Sequence, residues 1–188
     1  MKQCYYLFMP FHLTVGPMFV GKSEDQISKA YHLRSLGQVK NTVVFIPQID
    51  ARSNNDITTH NGKSIRSLGF DVVSISKPSE MLEYMKHPIM FAIIDEMQFF
   101  DSTIVDVVRS CKDRMEIFGS GLDRTSEDKD FGPMKELIEI ADYLKVLSGK
   151  CKCGNMSTMT KSLAPKTGDV LVGGSEKYVT VCRRCWEK

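Results

Sequence analysis

The segment Gly16-Pro17-Met18-Phe19-Val20-Gly21-Lys22-Ser23 fits the pattern G-x-x-x-x-G-K-[ST], the spacing of a loop that cradles phosphates. Its glycines let successive backbone N–H groups approach phosphate oxygens, and a helix beginning at its end adds a favourable dipole. Lys22 is suited to bridge the terminal phosphates of a nucleotide, and the Ser23 hydroxyl to ligate Mg²⁺. ATP with Mg²⁺ is the expected ligand.

A second motif lies downstream. Phe91-Ala92-Ile93-Ile94-Asp95-Glu96 is an apolar run ending in two carboxylates. In P-loop proteins a carboxylate at the end of a neighbouring strand organises Mg²⁺, which is the role expected of Asp95. Glu96 follows at once and is the candidate base, to take a proton from an attacking hydroxyl or to orient a water. These two motifs define a P-loop NTPase and leave the phosphoryl acceptor open among water, a nucleoside and a partner protein.

Near the C-terminus, Cys151-Lys152-Cys153 and Cys182-Arg183-Arg184-Cys185 bring four potential thiolates together across a glycine-rich stretch. Four thiolates suit tetrahedral Zn²⁺, and a metal can hold a segment with too few apolar residues for a core of its own. Zinc is favoured here over free cysteines or a disulfide pair. Cys4 and Cys111 have no partner at ligand spacing and read as ordinary buried or edge cysteines.

The elements that must position these groups alternate between β-rich and helical patterns, as in a parallel sheet covered on both faces. Strands are expected at Leu13–Val15, Thr42–Ile46, Val72–Ile75, Met90–Ile94, Glu116–Ser120 and Tyr143–Leu147. Ile27, Ala30, Tyr31 and Leu33 mark a helix stopped by Gly37. Pro78-Ser79 opens a short helix with Met81, Leu82 and Met85. Ser102 reads as the N-cap of a helix carrying Ile104, Val105, Val107 and Val108, and a last helix covers Met134–Ala141. The polar, glycine-bounded segment Gly121–Gly132 is a loop of functional length.

Bulk properties narrow the setting. In 188 residues, 25 basic and 23 acidic side chains nearly balance, so a nucleic-acid partner is disfavoured. No apolar run approaches the roughly 20 residues of a membrane helix. The opening MKQCYYLFMPFH is broken by Pro10 and His12 and followed by no small-residue cleavage site. A cytoplasmic protein is expected, with its six cysteines reduced or metal-bound.

The motifs together resemble the cellular-type, zinc-containing thymidine kinases, from about Leu13 to Trp186. The likeness rests on the P-loop, Asp50-x-Arg52, Thr59-His60-x-Gly62, Asp95-Glu96-x-Gln98-Phe99-Phe100, Gly121-Leu122-Asp123, Phe131-Gly132 and the run from Gly173 to Cys185. The resemblance implies an α/β fold, a P-loop (RecA-like) parallel sheet flanked by helices. It implies a kinase domain over 1–147 and a small zinc-ribbon or lasso domain over 148–188 that closes on the nucleoside. It further implies transfer of the ATP γ-phosphate to the 5′-hydroxyl of thymidine, and of deoxyuridine, giving dTMP in DNA-precursor salvage. Glu96 would then be the general base, with Asp50, Arg52 and Gln98 joining the P-loop in placing phosphates and magnesium. Met18, Phe99, Leu122, Phe131, Thr160 and Tyr178 would surround the thymidine, and backbone near Val172 and Gly173 would hydrogen-bond its base. A homotetramer inhibited by dTTP is also implied.

Three positions depart from that pattern. Ser126 stands where the family has an aromatic residue in the lid, Ser162 where it has arginine, and Val20 where it has a small residue. The competing expectation is a P-loop ATPase with a zinc ribbon acting on nucleic acid; it calls for a basic face and an arginine finger.

Overall fold

The computed structural model describes residues 9–48, 56–59, 61–163 and 175–188. Strand β2, Thr42–Pro47, is buried at every position, as a strand covered on both faces must be. Alternation sorts its side chains: Val43 and Phe45 join one core cluster, Val44 and Ile46 the other. Beside β2 run β3 (Val72–Ile75) and β4 (Phe91–Ile94), followed by β5 (Glu116–Gly121), β1 (Phe11–Val15) and β6 (Tyr143–Val146). The order β3-β2-β4-β5-β1-β6 is parallel throughout.

Helix α1, Lys22–Ser35, covers one face through Ile27, Ala30 and Leu33. It ends where the sequence places its stop: Gly37 takes φ 71°, and the N–H groups of Gly37 and Gln38 return to the carbonyls of Arg34 and Leu33. Helices α2 (Met81–Tyr84), α3 (Thr103–Cys111) and α4 (Met134–Ile140) cover the other face with Met81, Ile104, Val108, Met134 and Leu137. Cys111 is fully buried in that layer, as expected; Cys4 lies outside the described residues.

One capping assignment is corrected. Ser102 makes no side-chain cap bond. The carboxylate of Asp101 accepts the Thr103 N–H at 2.9 Å instead; Ser102 already has helical backbone angles, whereas a capping side chain works from an extended residue.

Beyond β6 the chain forms two small antiparallel hairpins, β7 (Gly149–Lys150) with β8 (Met156–Ser157) and β9 (Met159–Ser162) with β10 (Tyr178–Val181), then the short helix α5 (Arg183–Trp186). The apolar contacts here are few and centre on Cys151, Met159, Val181 and Cys182.

Edge strand β6 exposes Tyr143, Leu144 and Val146 and is tied to α1 through Asp25. That carboxylate accepts hydrogen bonds from Thr14, at 2.8 Å, and from Lys145. Burial alone would raise the Asp25 carboxyl, but the bonds from Lys145 and Thr14 and the charges of Lys29 and Lys145 outweigh it and hold it below the ordinary aspartate range. A depressed carboxylate stabilises the fold above its unfolded pKa of about 3.9, and that contribution is lost as pH falls through the folded value. Asp25→Asn should therefore cost about 1 kcal/mol at neutral pH, seen as a lower urea midpoint at unchanged m. The deficit should shrink on acidification.

Candidate active site

The loop between β1 and α1 has backbone angles that suit few residues. Gly16 takes φ 146°, and a Cβ there would lie 2.4 Å from the carbonyl oxygen of Leu147. Phe19 sits at φ 61° and Gly21 at φ 96°. A left-handed aromatic residue is uncommon and costs on the order of 1–3 kcal/mol, the kind of strain that collects at functional sites. The Lys22 ammonium is buried over this loop, donating to the carbonyls of Gly16 and Pro17 at 3.1 and 2.7 Å. Ser23 follows in the first turn of α1.

Asp95 and Glu96 stand at the C-terminal end of β4, where ligands bind in open α/β sheets. Asp95 is buried, and its Oδ1 accepts the Ser120 hydroxyl and, at 2.9 Å, the Glu96 N–H. Burial and the adjacent Glu96 carboxylate push the Asp95 carboxyl up to about 7, against the pull of Ser120, the Glu96 N–H and Lys22. A divalent cation would offset the burial and the Glu96 repulsion that the Lys22 charge only partly compensates, so a strand-end carboxylate beside the Ser23 turn fits Mg²⁺.

Glu96 is held at φ 50°, and its carboxylate accepts a hydrogen bond from the Gln98 side-chain amide. The other end of that amide, Oε1, accepts the Leu122 N–H at 3.0 Å. Gln98 is thus buried between the acidic pair and the following loop, with its amide spent on Glu96 and Leu122. Sequence reading grouped it with the phosphate contacts and did not foresee this bridge.

The residues expected to surround a nucleoside converge. Met18, Leu122 and Tyr178 form one apolar cluster with Phe131 against it. The Phe99 and Phe131 rings meet edge-to-face at 5.6 Å and 84°. Thr160 accepts the Met18 N–H at 3.1 Å, and Thr180, opposite it in the hairpin register, donates to the Met18 carbonyl. The β9–β10 hairpin therefore grips both peptide groups of a P-loop residue. Thr180 escaped the sequence reading; its period-2 spacing from Tyr178 was the available signal. Phe100 is a core residue, and beside Phe99 a cavity of about 340 Å³ opens between the ends of β2 and β3. Asp50, Arg52, His60, Val172 and Gly173 lie outside the described residues.

The four sulfurs of Cys151, Cys153, Cys182 and Cys185 lie within 4.8 Å of one another. A tetrahedral Zn²⁺ with bonds of about 2.3 Å needs sulfurs about 3.8 Å apart, so the set fits. Backbone N–H groups of Cys153 and Cys182 pull the Cys151 thiol down to about 6. The surrounding thiols of Cys153, Cys182 and Cys151 push Cys185 up to about 12. Four thiolates this close ionise together only around a cation.

A phosphate-cradling loop between strand and helix, a carboxylate pair at a nearby strand end and an all-parallel sheet define a P-loop nucleotide-binding protein of the α/β class. The chain belongs to the thymidine kinase family, whose model matches residues 9–186. It is 33% identical over 180 residues to the thymidine kinase of Pseudothermotoga lettingae, with 94% of each chain covered.

Proposed function

We propose that the protein transfers the γ-phosphoryl group of ATP to the 5′-hydroxyl of thymidine, and of deoxyuridine, to give the monophosphate. The single observation that carries this reading is the joining of two half-sites through Met18: its peptide groups belong to the phosphate loop, and its side chain belongs to the apolar cluster. A nucleoside seated against Met18, Phe99, Leu122, Phe131 and Tyr178 would present its hydroxyl toward Glu96 and the P-loop.

In this reading the P-loop backbone and Lys22 bind the ATP phosphates, and Ser23 and Asp95 hold Mg²⁺, which supplies charge neutralisation when bound. Glu96 accepts the proton of the 5′-hydroxyl as that oxygen attacks. Gln98 acts as a positioning residue, orienting Glu96 through the amide bridge to Leu122. Asp50 and Arg52 assist at the phosphates, and backbone near Val172 and Gly173 reads the base. Residues 1–147 form the kinase domain and 148–188 a zinc-held domain that closes over the nucleoside, excluding water and so favouring transfer over hydrolysis.

The finer expectations follow the same family. A homotetramer is supported by the apolar side chains exposed along β6; inhibition by dTTP, the transfer product carried two phosphorylations further, and a cytoplasmic location complete the reading. No described helix is long and apolar enough to cross a membrane. Nothing among the described residues of the site favours the nucleic-acid-acting ATPase.

The test is phosphoryl transfer from labelled ATP, with Mg²⁺ and zinc-loaded protein, to thymidine, deoxyuridine, deoxycytidine or water. Product that depends on thymidine is expected. Hydrolysis indifferent to nucleosides and raised by nucleic acid would sink the proposal.

A further inference from the structure

The loop between Leu122 and Gly132 carries two of the apolar residues against which the nucleoside is proposed to sit, one near each end. At its base it is pinned to Gln98: Leu122 donates to the Gln98 amide, and a Cβ on Gly132, at φ 52°, would lie 2.3 Å from the Gln98 carbonyl oxygen. Between the ends the loop folds on itself as a small hairpin. The backbones of Arg124 and Asp130 pair antiparallel, the Phe131 N–H donates to the Asp123 carbonyl at 3.3 Å, and the Thr125 N–H to the Lys129 carbonyl at 2.9 Å. The tip turns at Asp128, which takes φ 61°.

Two side chains from α5 reach that tip. Arg183 Nη1 lies 2.6 Å from Asp128 Oδ2, and the Trp186 indole N–H donates to the Ser126 carbonyl at 3.0 Å. The other oxygen of Asp128 pairs with Arg124 at 3.2 Å, so one carboxylate joins the two strands of contact. Arg183 also stacks over the Trp186 ring at 5.8 Å, which orders both donors. Helix α5 starts directly after Cys182 and contains Cys185, with Lys161 of β9 donating to the Cys185 carbonyl at 3.1 Å. The contact to Ser126 uses its carbonyl alone, so the family's aromatic side chain is not needed for it.

We propose that Asp128 with Arg183, and Ser126 with Trp186, form a latch by which the cysteine-bearing helix holds the 122–132 loop closed, and that this latch sets affinity for the nucleoside. The inference rests on the thymidine kinase reading and adds positioning residues to it. The base of the loop is fixed by packing on Gln98; the tip is fixed by two polar contacts, one of them part-buried. Opening the tip loosens Phe131, which lies on the tip side of the Gly132 anchor, from the cluster of Met18, Leu122 and Tyr178, while Leu122 stays pinned to Gln98. Arg183 is 55% exposed and Asp128 half-buried, and Asp128 keeps its pair with Arg124 when Arg183 is replaced, so the loss costs little global stability and is readable in binding.

Arg183→Gln in the full-length, zinc-loaded protein tests this. The KM for thymidine should rise about three- to tenfold, with kcat within about twofold, the KM for ATP unchanged and Tm within about 2 °C. Arg183→Lys should recover part of the loss. Asp128→Asn should raise the same KM, and the double variant should be no worse than the more affected single, because the two share one contact. Backbone amides 124–130 should exchange hydrogen faster in Arg183→Gln. Unchanged thymidine KM and unchanged exchange in both single variants overturn the latch, as does a fall in Tm with all kinetic constants moving together. Absence of thymidine phosphorylation by the native protein overturns the functional reading instead, and the exchange measurement then tests the latch by itself.

Discussion

Glu96→Gln lowers kcat for thymidine phosphorylation by about 10²- to 10⁴-fold, the usual contribution of a positioned general base, and leaves both KM values within about threefold. The substitution keeps the shape of the side chain, and glutamine tolerates the left-handed backbone at this position as glutamate does. Its carbonyl oxygen can still accept the Gln98 amide. The proton acceptor is lost and the architecture is kept, so the thermal midpoint should stay within about 2 °C. A variant that binds both substrates and transfers slowly confirms Glu96 as the base. Undiminished kcat assigns the proton to another group.

Loss of the metal site has a different signature. Cys182→Ser should reduce zinc from about one per chain to a trace and lower thymidine phosphorylation by at least about 100-fold, because zinc supplies the folding free energy of such a segment. The apolar cluster beneath it is small and cannot hold β9, β10 and α5 alone. With them would go Thr160, Tyr178, Thr180 and the grip on Met18. The parallel sheet has its own two-sided core, so most helical and sheet signal in circular dichroism should remain. Metal analysis, far-ultraviolet dichroism and activity on one preparation check the three parts together. Retained activity in a zinc-free variant would show that the hairpin folds on its own.

Helix α1, β2 and the phosphate loop were legible in the sequence because each is a local pattern. The unbroken β-rich run Thr42–Ile46, the helix stop at Gly37 and the glycine-lysine spacing all concern neighbours within one turn or one strand. The cap of α3 was not, since Asp101 and Ser102 are both good capping residues and backbone angles one residue apart decide between them.

The candidate chemistry-bearing residues were likewise contained in the sequence: Lys22, Ser23, Asp95, Glu96 and the four cysteines are picked out by spacings along the chain, and those spacings survive any packing. Tertiary structure alone decided how they are aimed. Gln98 turning its amide onto Glu96, Thr160 and Thr180 clamping a residue more than a hundred positions away, and Arg183 reaching Asp128 across 55 residues all depend on which loops the strand order brings to one end of the sheet. The physical reason is the range of the interactions. Backbone angles and side-chain periodicity act between near neighbours, whereas a hydrogen bond between distant segments exists only after the core has placed both partners within about 3 Å.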